Sequence, residues 1–538
     1  MPVQKSNRPR PRSGPHSRSA GGRPGPGIPQ FRVRFPGRVL VLGCGSVSQC
    51  LQPLLLRHLD MDFRKLTVMD FEDLRSKIPD TLAAGARYEL ARITPENIGE
   101  LLSEHLGPGD LLIDLAWNID AGTILQWCHD NGVLYANTSV EEWDPYGSAD
   151  TTPPTERTLY FRHRLLRKQI AEWSHPGPSA VVDHGANPGL VSHWTKVALD
   201  DIADAMLAGG PERPLERGTG TTMRRLKLSA TRRRAIERAR AAGDYARIAM
   251  HTGVKVIHIS ERDTQVTDRP KEVDEFVNTW SIEGFYEEGI APSELGWGTH
   301  ERRLPGASHT YDYGPCSQIC LSQMGMDTFV YSWVPLGGQI IGMVIRHGEA
   351  LSITEHLTVS DSERPIYRPT VHYAYLPTDA AMDSLNELRM RGLQLQPRLR
   401  IMQDEIVHGR DELGVLLMGH DLNAWWVGSQ LDIDETRTLV PGQNATTLQV
   451  AASVLGAVFW MINHPDQGFN VPDDLPHDEV LAVANPYLGP CPSVQSDWTP
   501  LANRRHLFAA WGGKAMPAAE DLWQFESFLA FPLQVTNK

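Results

Sequence analysis

Residues 38 to 70 read RVLVLGCGSVSQCLQPLLLRHLDMDFRKLTVMD, and this stretch decides the fold of the first part of the chain. An apolar run from Val39 to Leu42 enters a Gly-x-Gly turn at Gly43 and Gly45. A helical pattern follows, and a second apolar run ends at Asp70. This order predicts a strand, a tight turn, a helix and a second strand parallel to the first.

The Gly-x-Gly turn is typical of a dinucleotide site. Its backbone can approach a pyrophosphate at the helix N-terminus, and an acid at Asp70 can hydrogen-bond the adenosine ribose. Ser48 replaces the third glycine of the fingerprint, so the turn alone is a weak signal. Two further apolar runs, LLIDLAWN (111 to 118) and GVLYANTSVEEW (132 to 143), follow at α/β spacing and end in polar residues. We therefore predict a Rossmann-type parallel sheet; the alternative is a βαβ unit with no ligand.

The acids near the end of the second strand bear on which dinucleotide is bound. Asp70, Glu72 and Asp73 form a cluster that would repel a 2′-phosphate, which favours NAD over NADP. The residues predicted to bind the cofactor are Gly43, Gly45, Ser46, Val47, Asp70, Ala116, Thr138 and Asn187.

Asn187 lies in the string GANPG, which follows a short apolar run. Proline at 188 restricts Asn187 to extended conformations, and Gly189 opens a helical segment. At such a corner the side-chain amide can contact a ligand, although a turn or helix-cap role explains an asparagine equally well.

The composition is that of a globular enzyme. The 538 residues are 41% hydrophobic and 22% charged, which indicates two domains, and the most apolar run (450 to 462) is too short to cross a bilayer. The first 38 residues carry nine Lys or Arg and no acid, so a disordered basic tail is predicted over 1–37. Without a secretory signal, the cytoplasm is the expected location; an Arg-rich tail without acids is also compatible with an organelle presequence.

Net charge and cysteine spacing indicate which classes of ligand the chain is expected to bind. Removing the nine positive charges of the tail from the formal net charge of −13 leaves −22, which argues against nucleic acid and favours cationic small molecules. Neither the polarity nor the apolar runs indicate a membrane partner. The six cysteines have no zinc-type spacing, so no metal site is predicted and reduced thiols are expected.

Beyond residue 176 the regular alternation of strands and helices ends. Strand patterns occur at 254–259, 275–281, 328–334, 339–345 and 371–376, and helical patterns at 380–393 and 444–462. This predicts an α+β domain on a mixed or antiparallel sheet. The predicted organisation is a nucleotide domain over 38–176, a substrate and dimerisation domain over 177–505 with an exposed Arg-rich insertion at 209–247, and a C-terminal segment over 506–538.

The stretch DEFVNTWSIEGF (274 to 285) places Trp280 in a β-like run with Asp274, Glu275 and Glu283 close by. A core strand with a wet edge explains this pattern. A receptor for an organic cation explains it as well.

Long strings in a fixed order carry a family resemblance. They include TSVEEW, GANPG, HISERDTQ, FVNTWSIEGF, ELGWGTHE, RPTVHYAYLP, GSQLDIDETR and YLGPCPSVQSDWTPL. The chain resembles the bacterial homospermidine synthases, relatives of the saccharopine and carboxynorspermidine dehydrogenases, from about residue 38 to residue 505. The basic tail and most of the insertion lie outside the resemblance.

The resemblance implies an activity. Members of the family join two putrescine molecules, or spermidine and putrescine, into homospermidine and release ammonia or diaminopropane; they use NAD, regenerate it each cycle and work as homodimers. It implies catalytic roles for Glu288, Glu261, Trp280 and His372, and substrate binding by Trp280, Glu261, Glu288, Glu141, Asn187 and Asn118. Trp280 would hold the substrate cation, and the general base would be Glu288, Glu261 or His372.

This chain departs from the family pattern at two places. Trp117 and Asn118 stand where an Asp is expected, and Glu142 replaces the usual Pro after Glu141. Both changes affect the expected amine preference.

The implied chemistry needs a base, because hydride leaves the carbon beside an amine only when that amine is neutral. A buried Glu with a raised pKa can act in this way. A saccharopine-type or carboxynorspermidine-type dehydrogenase would instead need an arginine for a substrate carboxylate, and Arg262 and Arg346 keep that alternative open. A non-catalytic protein that binds NAD and polyamines is the third possibility, supported by Asn118 and Ser48.

Overall fold

Two large β-sheets form the framework of this computed structural model. It describes residues 31–144, 151–210, 213–217, 220–224, 227–362, 364–504, 511 and 517–533, with backbone alone for 213–217 and 220–224. The predicted tail up to residue 30 lies outside the described residues.

The strands as far as residue 296 are β1 (Val33–Arg34), β2 (Val39–Leu42), β3 (Leu59–Asp60), β4 (Leu66–Asp70), β5 (Arg87–Leu90), β6 (Leu111–Asp114), β7 (Leu134–Asn137), β8 (Ala180–Val181), β9 (Arg213–Arg217), β10 (Gly220–Arg224), β11 (Val256–Asp263), β12 (Val266–Thr267), β13 (Glu275–Asn278) and β14 (Pro292–Gly296). The strands after residue 296 are β15 (Ser308–Thr310), β16 (Gln318–Met324), β17 (Phe329–Val334), β18 (Gly338–Met343), β19 (Val359–Asp361), β20 (Arg364–Tyr367), β21 (Thr370–Leu376), β22 (Arg398–Ile401), β23 (Ile406–His408), β24 (Arg410–His420), β25 (Asn423–Asp432), β26 (Phe469–Asn470) and β27 (Ser493–Ser496).

The helices are α1 (Ser46–His58), α2 (Pro79–Ala83), α3 (Ile98–His105), α4 (Ala121–Asn131), α5 (Leu159–Ile170), α6 (Leu190–Leu207), α7 (Ala230–Ala241), α8 (Tyr245–Thr252), α9 (Ile282–Ile290), α10 (Glu349–His356), α11 (Asp379–Met390), α12 (Ile433–Leu439), α13 (Ala445–Asn463), α14 (His477–Ala484) and α15 (Phe525–Phe528).

The first sheet is parallel, with seven strands in the order β26-β8-β7-β6-β2-β4-β5. Strands β2, β6 and β7 are buried on both faces, which explains their continuous apolar runs. Two of its strands, β8 and β26, lie beyond residue 176, and α13 packs against α1. The sheet therefore does not end at the predicted domain boundary: the chain returns to it after building the second domain.

The second sheet has ten strands and is mixed. Its main path runs β15-β16-β14-β21-β11-β24-β25-β27, and β18 joins β17 to β21. β11 is parallel to β21 and antiparallel to β24, and Ile257 and Ile259 are buried in its centre. The predicted fold class, a Rossmann-type sheet plus an α+β domain, is confirmed.

The stretch around Trp280 differs from its prediction. The strand β13 ends at Asn278, Trp280 lies in the turn that follows, and α9 begins at Ile282, where the Ser281 hydroxyl caps the helix. The predicted strand at 275–281 is therefore three residues too long. The turn lets the indole and the acids of α9 face one cavity.

The structure differs from three further sequence predictions. The predicted tail over 1–37 is too long, because β1 pairs with β3 and Phe35 is buried. The Arg-rich insertion over 209–247 is not a loop with one solvated helix: it contains the β9–β10 hairpin, α7 and the start of α8, and Ile236 reaches the core. Helix α13 has 19 residues, long enough to cross a membrane, but 89% of its apolar window is buried inside the protein, as in a core helix.

Candidate active site between the two sheets

The Gly-x-Gly turn at the carboxyl end of β2 forms one wall of a long groove. Gly43 has φ +84°, and a Cβ there would lie 2.8 Å from the carbonyl oxygen of Leu115. Among the residues that the structure describes, a Cβ at Gly45 would meet nothing within 4 Å, which leaves the space that a phosphate needs. The groove has a volume of about 590 Å³ and includes six of the predicted cofactor residues: Gly43, Gly45, Ser46, Val47, Asp70 and Ala116.

Asp70, the last residue of β4, connects the Gly-x-Gly turn to the residues that follow β4. One carboxylate oxygen accepts a hydrogen bond from the backbone N–H of Cys44 at 2.6 Å, and the other accepts from the N–H of Glu72 at 2.9 Å. Asp70 and Glu72 both line the groove. The carboxylate is thus held rigidly at the position where a ribose is expected.

A second cavity of about 190 Å³ adjoins the groove. Val47, Leu115, Ala116, Trp117 and Ser281 line both, so the two spaces meet at the carboxyl edge of the parallel sheet. The predicted residues Thr138 and Asn187 lie on the cavity and not on the groove.

Trp280 forms one side of the cavity. The indole is half-buried, packs against Phe285 with 5.7 Å between ring centroids, and donates its N–H to the Tyr375 hydroxyl at 3.3 Å. The acids that sequence places near it, Asp274 and Glu275, face elsewhere, because Asp274 pairs with Arg391 and Glu275 with Arg269 and Arg400. The acids of the cavity come instead from β11, α9, the loop after β7 and the residues after β8.

Glu261 projects from β11 into the cavity and is 2% exposed. One of its oxygens accepts a hydrogen bond from the Tyr373 hydroxyl and one from the Asn187 amide at 3.4 Å. Burial, reinforced by Asp263, raises the pKa of Glu261 to about 8. A carboxyl with such a pKa can exchange protons near neutral pH.

Glu288 on α9 belongs to a chain of three ionisable groups. His347 Nε2 lies 3.0 Å from Glu288, and His347 Nδ1 lies 3.3 Å from the fully buried Glu349. Burial raises the pKa of Glu288. Burial alone would lower the pKa of His347, but Glu288 and Glu349 raise it well above its usual value, so the imidazole is positively charged between two acids. Sequence reasoning missed His347, although it follows β18 as polar residues follow the strands of the first sheet.

Glu141 and Glu287 are two further acids that line the cavity. Glu141 accepts a hydrogen bond from Ser139 at 2.9 Å, and burial followed by the charge of Glu287 raises its pKa to about 7. Glu287 is held by Arg162 at 2.6 Å and by Arg346. Burial favours its neutral form, but the two guanidinium groups outweigh burial and lower the pKa of Glu287.

Two predicted site residues are corrected by the structure. His372 lies outside the cavity, because alternate residues of β21 face opposite sides and Tyr373 is the neighbour that points inward. His372 packs instead against His258 and Phe525. Burial lowers the pKa of His372 to about 4. Asn118 lines the groove and not the cavity, so the structure does not bring it together with the predicted substrate residues. The alternative clamp residue Arg262 also lies outside the cavity.

Comparison with known proteins agrees with this arrangement. Residues 39–181 match the saccharopine dehydrogenase NADP binding domain, and residues 185–491 match the saccharopine dehydrogenase C-terminal domain. The homospermidine synthase of Blastochloris viridis is 40% identical over 92% of this chain and 98% of its own length, and that of Mesorhizobium japonicum is 37% identical over 92% and 96%. The crystal structure of the Legionella pneumophila homospermidine synthase in complex with NAD has a TM-score of 0.79 and 36% identity, and the match covers 93% of this chain and 99% of that one.

Fold and site together define a two-domain enzyme of the saccharopine dehydrogenase type, with a nucleotide groove that opens into an acid-lined cavity. Within that class, the chain belongs to the homospermidine synthase family. The resemblance found in the sequence is confirmed.

Proposed function

We propose that this chain condenses two diamines, in the first place two putrescine molecules, into homospermidine, using NAD as a hydride carrier that is restored in each cycle. One observation carries the proposal: the groove for the dinucleotide and the cavity lined by Trp280, Glu261 and Glu288 share a wall. A nicotinamide at that wall would face a diamine held in the cavity. The spermidine reaction, which releases diaminopropane, is the variant of the same chemistry.

The groove fits NAD. The Gly-x-Gly turn and the N-terminus of α1 would hold the pyrophosphate, and Asp70 the ribose. Asp70 and Glu72 would repel a 2′-phosphate, and the Legionella relative is in complex with NAD. When bound, NAD supplies the chemistry that takes up a hydride from carbon and gives it back.

Glu261 is the residue best suited to take a proton from the reacting amine. It faces the cavity, and its pKa of about 8 lets it accept a proton and return it near neutral pH. Glu288 suits this role less, because its carboxylate already pairs with His347 Nε2 at 3.0 Å.

The other ammonium of the diamine would be bound by Trp280 and Glu288. A cation over the indole face contributes about 0.5–2 kcal/mol. Glu288 and Glu349 flank His347, so this group has two acidic side chains for one basic side chain. This excess attracts an ammonium and disfavours a substrate carboxylate.

The main competing activity is an ordinary dehydrogenase acting on a carboxylated amine. Such a substrate needs a guanidinium for its carboxylate. Arg162 and Arg346 line the cavity, but both pair with Glu287. The cavity therefore favours a diamine.

Product stoichiometry tests the proposal. Purified protein is incubated with putrescine and a small fraction of an equivalent of NAD, and products are identified by mass spectrometry. We expect homospermidine and ammonia in equal amounts, many turnovers per NAD, and no lasting NADH. NADH that accumulates in step with product would identify a dehydrogenase, and binding of NAD and putrescine with no product would identify a non-catalytic protein.

We also infer a homodimer in the cytoplasm, with no nucleic-acid or membrane partner. The family resemblance supports the dimer, and the net charge of −22 beyond the basic tail argues against nucleic acid. Light scattering on the purified protein measures the mass; a mass of one chain at all concentrations contradicts the dimer.

A further inference from the structure

Asp183 is an acid of the cavity that has no part in the reaction as described so far. It follows β8 at the carboxyl edge of the parallel sheet, it lines the cavity, and it is 4% exposed. Glu261 and Glu288 approach the cavity from the other domain, on β11 and α9. Asp183 therefore stands on the side where the parallel sheet presents its ligand.

The backbone and the surroundings fix Asp183 in one place. Its φ is +62°, a conformation that non-glycine residues adopt at a cost and that is common at functional sites. Its N–H donates to the Asn137 side-chain oxygen at 2.8 Å. A Cβ at position 348 would overlap the Asp183 carboxylate, so Gly348 is what leaves room for it.

His163 on α5 holds one of the two carboxylate oxygens. His163 Nε2 lies 2.8 Å from Asp183 Oδ2, and the imidazole is 1% exposed. Within the described part of the chain, His163 Nδ1 is buried and has no hydrogen-bond partner. The imidazole therefore carries its hydrogen on Nε2 and donates it to Asp183. Among the same residues, Oδ1 has no hydrogen bond and is the oxygen left for a ligand in the cavity.

The proposed reaction needs a proton carrier besides Glu261. After the second diamine has attacked the imine, the new secondary nitrogen carries the positive charge, while the nitrogen that must leave is still a neutral amine. A proton has to pass from the secondary nitrogen to the leaving nitrogen. Both are bonded to the same carbon, so a direct transfer between them is strained. Glu261 already holds the proton of the first amine, so it cannot accept another.

We propose that Asp183 carries this proton, with His163 as its positioning residue, an inference that rests on the proposed function. Oδ1 takes the proton from the secondary ammonium and gives the same proton to the primary amine. The carbon–nitrogen bond to that amine then breaks, ammonia leaves, and the secondary imine remains protonated, ready for the returning hydride. Charge is conserved, and the step consumes no other reagent.

Rapid mixing of the NAD-loaded enzyme with putrescine separates the steps. NADH absorbance reports hydride removal, and quenched samples report homospermidine. For Asp183→Asn we expect NADH to appear at the wild-type rate but to persist, while turnover falls about 10²-fold or more. For His163→Gln, which keeps a donor to Oδ2, we expect the same persistence with a smaller loss, about tenfold.

Glu301→Gln is the matched control, because Glu301 is a buried acid 3.5 Å from His300 and lies outside the cavity. It should leave the ratio of NADH decay to NADH formation unchanged. Wild-type turnover in Asp183→Asn and His163→Gln would overturn the inference, and so would an equal loss of NADH formation and turnover. If Asp183→Asn does not fold, His163→Gln decides alone. A wild-type enzyme that makes no homospermidine would instead contradict the proposed function.

Discussion

Burial sets the proton affinity of the acids around the cavity. It is the largest cause of the raised pKa of Glu261, Glu141 and Glu288, and neighbouring charges modify its effect. Where two guanidinium groups oppose burial, as at Glu287, the pKa falls instead. One cavity therefore contains acids with different protonation at the same pH, which a reaction with several proton transfers requires.

The role of Glu261 as a proton acceptor predicts a pH dependence. Only its carboxylate accepts a proton, and the carboxylate fraction grows as the pH rises through about 8, so kcat/KM for putrescine should rise over that range. Glu261→Gln should lower kcat/KM by about 10²- to 10⁴-fold. It should also remove the increase of kcat/KM with pH that comes from the titration of Glu261. Glu272→Gln, which removes a surface carboxylate paired with Arg398, is the control. Identical pH profiles for wild type and Glu261→Gln would exclude Glu261 as the base.

Trp280 provides a second residue test. Trp280→Phe keeps an aromatic face and should retain part of the activity, whereas Trp280→Ala should raise the KM for putrescine by about 2- to 30-fold, as expected for about 0.5–2 kcal/mol of cation–π energy. Trp297→Phe is the control, because Trp297 packs against Phe525 away from the cavity. Equal steady-state constants for all three Trp280 forms would make the indole a packing residue only.

The sequence predicted the residues of the site unevenly. Gly43, Gly45 and Asp70 follow from strand and turn patterns, because the groove is built by local structure. Glu261 and Glu288 were identified by resemblance alone, since no spacing connects β11 to α9. For Trp280, the local pattern left a core strand and a cation receptor open, and the resemblance favoured the receptor. His372 was misplaced because the side of β21 that faces the cavity depends on the neighbouring strands. His347 was missed because the acids that raise its pKa lie in other elements, Glu288 on α9 and Glu349 on α10.

At the scale of elements, the turn between β2 and α1 combines two glycines with different roles. Gly43 needs its positive φ and its close approach to Leu115, so Gly43→Ala should destabilise the fold by about 1–2 kcal/mol. Gly45 has neither constraint, so Gly45→Ala should leave the melting temperature unchanged and weaken NAD binding, because the methyl group occupies the phosphate space.

Calorimetry and titration with NAD measure the two effects on the same variants. Gly99→Ala, on α3 where a Cβ meets nothing within 4 Å among the described residues, should leave NAD affinity unchanged and raise the melting temperature slightly, because alanine favours a helix. NAD affinity that is unchanged in Gly45→Ala would place the pyrophosphate elsewhere.

Element prediction succeeded where the pattern is local. The apolar runs predicted β2, β4, β6 and β7, and the helical patterns predicted α11 and α13. The prediction failed at the end of β13, where the strand was extended through Trp280 to residue 281. An aromatic residue fits both a strand and the turn before a helix. The short strands β8 and β26 could not be assigned to the first sheet from sequence, since their partners are set by tertiary packing.

At the scale of the whole molecule, the buried acids predict how stability varies with pH. The pKa values of Glu261 (about 8), Glu141 (about 7), Asp114 (about 7) and Glu301 (about 7) exceed those of the unfolded chain, and burial is the first cause of each. Between the unfolded and the folded pKa values, the folded protein binds more protons than the unfolded chain. The free energy of unfolding contributed by these groups therefore falls as the pH rises from about 4.5 to about 8.

Scanning calorimetry of the NAD-free protein from about pH 6 to about pH 9 measures this effect. We expect the melting temperature to fall across the range, and to fall less steeply in Glu301→Gln and Glu261→Gln, where a neutral amide replaces the acid. Putrescine should restore part of the loss at high pH, because it compensates the charge in the cavity. A melting temperature that rises with pH would contradict the assignment of neutral buried acids.

The fold class of the whole molecule was predictable from the sequence, but the assignment of chain segments to the two sheets was not. The change from regular α/β alternation to irregular strands predicted two domains, and both sheets are present. The chain's return to the first sheet through α13 and β26 was not predicted, because no local feature of residues 445–470 indicates which sheet they complete.

In the proposed reaction, the hydride taken from a diamine in the cavity returns to the same carbon. Putrescine with deuterium on both amine-bearing carbons tests this return directly, with unlabelled NAD and unlabelled NADH present in solution. We expect mass spectrometry to find homospermidine with every deuterium retained, because the carried deuteride goes back before the cofactor leaves. Homospermidine that has lost one deuterium, replaced by hydrogen from the NADH pool, would contradict it.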